Sequence, residues 1–166
     1  MNLVTKPWSE LSPDEQKAVV DIYKMLVDMA DKVSQRRQNA NNFYLSVNTA
    51  LIGASAYIGS LAQQVPHQTL AIAAAGLLVS LLWFRNINSY RDLNKGKFVI
   101  IQDLELQLPV RPYTAEWETL HRGENTKHYR PFHTVEALVP LVFVGVHLFQ
   151  VIRVFPWPYM FACFAK

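Results

Sequence analysis

Residues 43–84 read FYLSVNTALIGASAYIGSLAQQVPHQTLAIAAAGLLVSLLWF, 42 consecutive positions without Asp, Glu, Lys or Arg. A helix needs about 20 apolar residues to cross a hydrocarbon layer ~30 Å thick. The stretch therefore has room for two crossings and a turn. Gln63, Gln64, Val65, Pro66, His67, Gln68 and Thr69 supply the turn, because most are polar and Pro66 stops a helix from running through. The first crossing is expected at 42–62 and the second at 70–87. A further uncharged run at 137–152 gives a third crossing at 134–155, just long enough at 22 residues.

The rest of the chain is compatible with this reading. Only 17% of the 166 residues are charged, against roughly 25% in an average soluble chain. The hydrophobic share is 51%, too high for a disordered segment, and a net charge of +3 is too small for electrostatic nucleic-acid binding. The lone cysteine, Cys163, excludes an internal disulfide framework and a cysteine-built zinc site. A soluble protein with a greasy core is the competing explanation, but buried soluble helices are usually shorter and carry a charged face. Residues 1–15 contain no hydrophobic region of the signal-peptide kind, so the first crossing is expected to be a retained anchor.

Lysine and arginine placement sets the expected orientation. Six lie in 1–41, with Arg36 and Arg37 just before the first crossing, and eight lie in 85–133; the 63–69 turn has none. The N-terminus and the 88–133 segment are then cytosolic, and three crossings put the C-terminus in the periplasm of a bacterial inner membrane. Arg153 would snorkel to the outer interface. The tail at 156–166, with Trp157, Tyr159, Phe161 and Phe164, resembles an interfacial aromatic belt, or else re-enters the membrane.

The cytosolic parts read as long helices. Ser12, Pro13 and Glu15 form a capping box with proline at the first helical position. Val19, Ile22, Leu26, Met29 and Val33 then recur at heptad spacing, which predicts a buried seam. No proline or glycine follows until Gly53, so one helix is expected from Pro13 to Ala62. After the second crossing Ile87, Tyr90, Ile101, Leu104 and Leu108 form a stripe interrupted by Asn94 and Lys97, with Pro109 ending the run. A short helix containing Trp117 and Leu120 is expected to open at Thr114 and to close at Gly123, followed by a polar linker at 124–133. The seams would bury each other within the chain, and the apolar positions left over favour contact with further copies.

Polar residues in a bilayer face protein or water. On the first crossing Asn41, Tyr44, Asn48, Ser55 and Gly59 share a face. It either lines a weakly polar pore or serves helix contact, with Asn48 hydrogen-bonding across and Ser55 and Gly59 allowing close approach. On the second crossing Ala73, Gly76 and Ser80 read as a packing stripe of small residues. On the third, Glu136, Pro140, His147 and Gln150 share a face. In a ring, repeated Glu136 residues would form a cation-favouring collar, and His147 would respond to mild acid as histidine does. Alternatively Glu136 pairs at the interface with Arg130 or Lys127, and Pro140 is only a kink.

No catalytic chemistry stands out. The chain lacks a glycine-rich phosphate loop, an HExxH helix and a serine nucleophile elbow. His121, His128 and His133 in the linker are more simply free surface histidines than metal ligands. The expectation is a non-enzyme without cofactor or metal, whose partners are lipid, further copies of itself and, in one reading, a cytosolic protein, with no nucleic acid.

Several of these residues carry a resemblance. Arg36-Arg37, Asn42-Phe43-Tyr44-Leu45-Ser46, Trp83, Ser89-Tyr90-Arg91-Asp92-Leu93-Asn94, Lys97-Phe98, Leu104-Glu105, Leu108-Pro109, Glu116-Trp117 and Glu136 with Pro140 resemble the RipA-like family of small octameric bacterial inner-membrane proteins. More distantly the chain resembles the two-crossing effector domains of bacterial nucleotide-signalled defence systems, which have been proposed to form pores. The first resemblance implies an octameric ring in the cytoplasmic membrane, and neither implies a catalytic residue. The combined expectation is an all-α, three-crossing membrane protein with long cytosolic helical extensions, assembled as a ring. It would act as a channel, a non-conducting scaffold or interaction protein, or a membrane-permeabilising effector.

Overall fold

The structure, a computed structural model, describes residues 6–60, 66–120 and 136–155. Outside the described residues lie 61–65 of the turn, the 121–135 stretch with His121, His128, His133, Lys127 and Arg130, and the 156–166 tail with Cys163. The described residues are helical throughout their regular parts: a 3₁₀ turn at Trp8–Glu10, then α1 (Pro13–Ser60), α2 (Pro66–Glu105), α3 (Pro112–Thr119) and α4 (Leu138–Val154). They fall into two compact units. One takes its residues from Met1–Asn39 and Asn88–Val135, the other from Ala40–Ile87 and Glu136–Lys166.

α1 starts as its capping box dictates. The Ser12 N–H donates to Glu15 Oε2 at 2.8 Å, and the Glu15 N–H donates to Ser12 Oγ at 3.3 Å. These bonds satisfy backbone donors that the first helical turn leaves unpaired. The hydrogen bond with the Ser12 backbone, then that with Lys6, holds the exposed Glu15 carboxyl below its usual value.

In the first unit the buried seam is shifted from the expected one. Val33 is buried and Leu26 half-buried, but Ile22 and Met29 are exposed at 49% and 40%, and Tyr23 and Ala30 take the inward places. A seam counted on aliphatic residues alone passes over tyrosine, which buries its ring wherever its hydroxyl finds a partner. From α2 the unit buries Ile101 and Leu104, and Leu108 just beyond its end, as their spacing predicts. Gly96 is exposed and the helix runs through it. Backbone bonds from Gln107 to Leu104 and from Leu108 to Glu105 tighten the chain before Pro109.

α3 opens at Pro112, not at Thr114. Its N-cap residue, Arg111, makes no side-chain cap bond. Glu105 does the capping instead. Its carboxylate is fully buried and accepts from the Tyr113 N–H at 2.9 Å, the Thr114 N–H at 2.8 Å, the Thr114 hydroxyl at 2.6 Å and the Tyr23 hydroxyl at 2.8 Å. One side chain thereby ties α1, α2 and α3 together. Burial pushes the carboxyl up, but the bonds from Thr114, Tyr113 and Tyr23 together hold it below its usual value. Burial and the bond to this carboxylate push the Tyr23 hydroxyl well up.

The second unit packs α1, α2 and α4. Trp83 is buried, its indole N–H donating to Asn41 Oδ1 at 2.8 Å. Tyr44 stacks on it with centroids 6.0 Å apart, and Phe143 of α4 lies at 5.9 Å and 43°. α2 begins four residues earlier than the expected crossing, because Pro66 opens it: the fixed φ and missing N–H of proline suit a first helical position. α4 is shorter than the expected third crossing, 17 residues against 22. Pro140 is its third residue, and the helical Glu136 followed by a turn at Ala137 puts a break just before α4, where the proline ring would meet the carbonyl four residues back.

Among the described residues one helix is long and apolar enough to cross a membrane, His67–Glu105, with mean hydropathy 1.8 in its most apolar window. Only 28% of that window is buried, whereas a soluble core helix would be mostly covered. α4 is apolar but, at about 26 Å for 17 residues, falls short of the ~30 Å layer. α1 is diluted over its second half by Asn48, Thr49, Ser55 and two glycines.

Replacing Glu105 by Ala should destabilise the first unit by about 2 kcal/mol, because four donors lose their acceptor. The carboxyl is held below its unfolded value, so its stabilisation is complete above that value and is lost as the pH falls through the folded one. Thermal unfolding of the detergent-solubilised protein should thus lose more stability toward pH 3 in the parent chain than in Glu105→Gln.

Candidate functional site

The most organised polar group of the second unit lies at the meeting of α1, α2 and α4. It is built on helical spacings. Tyr44 and Asn48 stand one turn apart on α1, Gly76 and Ser80 one turn apart on α2, and His147 and Gln150 one turn apart on α4, so each pair shares a face. Asn48, Ser80 and His147 are completely buried, Gly76 is buried, and Gln150 is half-buried.

The hydrogen bonds fix most of the atoms. The Asn48 amide Nδ2 donates to the Tyr44 carbonyl at 2.9 Å, which points Oδ1 away from α1. Oδ1 accepts from the Ser80 hydroxyl at 2.8 Å and faces His147 Nε2 at 3.2 Å. The Ser80 hydroxyl has one proton and a second acceptor, the Gly76 carbonyl, also at 2.8 Å. The other ring nitrogen, His147 Nδ1, faces the Gln150 side-chain oxygen, Oε1, at 3.2 Å. The imidazole lies against α2 where Gly76 has no side chain, and a Cβ there would collide with the ring. Small residues let helices approach closely enough for such bonds, and a polar group unbonded in hydrocarbon is costly.

The node unites Asn48, Gly76, Ser80, His147 and Gln150, all singled out in the sequence. It places Ser55 buried on the same face of α1. Asn48 and His147 point into their own chain's helices and are covered there, as the helix-contact reading requires, so neither lines an open lumen in this subunit. Gly59 differs from Gly76: it is exposed, and among the described residues nothing lies within 4 Å of where its Cβ would stand. Glu136 is half-buried just before α4.

The outward faces are the reverse. Phe43, Leu78, Val142 and Phe149 are each 64% exposed, in a unit whose Asn48, Ser80 and His147 are at 0%. Water would drive the opposite arrangement. Residues 20–156 match the Octameric membrane protein family (8xMP). The chain belongs to this family. No curated protein and no solved structure matches it. An 8xMP subunit with this distribution places polar groups where they bond one another and apolar groups where they meet hydrocarbon or other subunits.

In this 8xMP chain, two features were invisible to sequence patterning. Glu105 stood out in the sequence only as one of the residues carrying the family resemblance, and its role as a long-range cap depends on Pro112 bringing α3 back to it. Asn41 was read as a face residue, and its bond to Trp83 joins positions 42 residues apart. Among the described residues no group of three or more His, Cys, Asp or Glu is placed to hold a metal ion. An open groove of about 590 Å³ in the first unit is lined by Tyr23, Lys24, Asp28, Asp31, Tyr113 and Glu116, a mixed set without a nucleophile beside a base.

A double-mutant cycle measures the node. Asn48→Ala and His147→Ala should show a coupling of about 0.5–1.5 kcal/mol by unfolding in micelles, the size typical of hydrogen bonds between membrane helices. Gly76→Ala should cost about 1–3 kcal/mol by overpacking against the ring, and shrinking the ring in Gly76→Ala/His147→Ala should recover part of it.

Proposed function

We propose that the chain is the repeating subunit of an octameric ring in a bacterial inner membrane, and that the ring is a non-conducting scaffold. Three crossings at 42–62, 70–87 and 134–155 anchor each subunit, with the N-terminus and 88–133 in the cytosol and the C-terminus in the periplasm. The distribution of lysine and arginine supports that orientation. The cytosolic helices form a collar that offers a surface to a protein partner, and the protein is no enzyme.

One observation carries the scaffold reading. The best-organised polar side chains of the second unit, Asn48, Ser80 and His147, are turned toward one another and buried. The exposed polar side chains of its helices, such as Asn42, Ser46 and Thr49, are outnumbered by exposed leucine, valine, isoleucine, phenylalanine and tyrosine. A water-filled pore needs polar groups on the wall. An apolar wall suits lipid on both sides. A channel is the second reading, and Glu136 favours it: repeated around a ring, its half-buried carboxylate would form an acidic collar.

Native mass measurement of the purified complex should give eight copies. Reconstituted into liposomes with a potassium gradient, the complex should pass no ion current between about pH 5 and pH 8. A cation flux that Glu136→Gln lowers would replace the scaffold by the channel.

A further inference from the structure

The α1–α2 pair of the first unit has two sides, and α3 covers one of them. Phe98 of α2 meets Tyr113 of α3 with ring centroids 5.6 Å apart. From α1, Val27, Asp28 and Asp31 line the open groove together with Tyr113 and Glu116. α3 therefore lies over the side of the pair on which Phe98 and Asp31 stand. Met29 is two residues from Asp31, and Ile100 two from Phe98. At about 100° per residue, each stands roughly 160° round its helix from the α3 side.

That far side is apolar on both helices. Ala18, Ile22, Met25 and Met29 of α1 follow one another at spacings of 4, 3 and 4, all of them exposed. Leu93, Gly96 and Ile100 of α2 follow at 3 and 4 and are exposed as well. The exposed ion pairs of Lys24 with Asp21 and Lys32 with Asp28 run along the same stretch of α1, which suits water and not hydrocarbon. Apolar residues scattered singly are ordinary in water, but stripes aligned on two paired helices mark a contact surface. A second exposed apolar group, Leu106, Val110 and Trp117, stands around α3.

We propose that these two patches are the two halves of one contact repeated round the octamer, the Met25–Met29 side of each first unit packing against the α3 side of the next copy. The contact deepens the scaffold reading and rests on its octameric ring. Copies inserted in one direction are related by rotation about the membrane normal, and a closed ring of more than two needs two different surfaces that fit each other. A subunit with one self-complementary face would pair and stop. The first unit carries two apolar surfaces, on opposite sides, where ring neighbours sit. Charge points the same way. The spacing of Met25 and Met29 continues through Lys32 and Arg36, both exposed, whereas the groove beside α3 sets Asp28, Asp31 and Glu116 against Lys24. A basic edge meets an acidic one across each contact, which fixes its register and excludes like sides.

Cysteine cross-linking of the full-length chain in its membrane tests this. Cys163 is the lone cysteine and is replaced by Ser throughout. Met25→Cys and Trp117→Cys are co-expressed on chains with tags of different size, so every cross-link joins two copies. With a short bis-maleimide the mixed dimer should exceed either self-linked dimer several-fold, and both cysteines in one chain should give a ladder reaching eight copies. Ile22→Cys with Val110→Cys supplies the same reading where a first-pair variant fails to assemble. A self-linked Met25→Cys dimer as the main product would mean that like sides meet, and would overturn the proposal. So would a Met25→Cys site fully open to a bulky water-soluble maleimide in the assembled ring. Native mass separates this contact from the octamer itself. Eight copies without the mixed product would sink the contact and leave the octamer standing, and fewer than eight in the parent chain would remove both.

Discussion

Hydrocarbon offers no hydrogen bonds, and that constraint organises the second unit. Each polar side chain buried within it must find a partner on its own or a neighbouring helix. Asn48 bonds to the Tyr44 carbonyl and to Ser80 and faces His147, which faces Gln150; Trp83 bonds to Asn41. The aromatic contacts of Tyr44, Trp83 and Phe143 then fill the space beside these bonds. Specificity between helices comes from the few polar groups, since one leucine face is as comfortable against lipid as against another leucine face.

The first unit uses a different device. It is rich in charged residues, and its ion pairs, such as Lys32 with Asp28 at 2.6 Å, are exposed and worth little individually. Its organisation comes from a single buried carboxylate with four donors. Glu105 ends α2, caps α3 and holds Tyr23 of α1, so three elements that could meet in many ways meet in one. The two units thus solve the same problem, a small core that needs a defined arrangement, with buried hydrogen bonds of opposite character. One set is neutral and the other charged.

The sequence made local features legible and long-range ones opaque. The capping box at Ser12 and Glu15 involves residues three apart, and it forms as written. The extent of α1 followed from the absence of proline and glycine, and the stripe of Ile101, Leu104 and Leu108 from helical spacing. Periodicity misplaced Ile22 and Met29 because it weighed aliphatic side chains and overlooked Tyr23, whose burial depends on a carboxylate 82 residues away. Gly59 and Gly76 look alike in a string of letters, and what distinguishes them is the imidazole facing only one. Pro66 reads as a stop and serves as a first helical residue, as Pro112 does, since proline's meaning depends on which side of it the helix lies.

The gap at Gly76 also limits how α4 can move. Neighbouring positions on the same face of α2 are Ala73 and Ser80, each carrying a Cβ where Gly76 carries none. A piston-like slide of α4 by one turn along α2 would bring the bulky ring onto one of those methylene or methyl groups, so axial displacement meets steric resistance in both directions. The smallest residue in the interface therefore fixes the height at which α4 sits along α2.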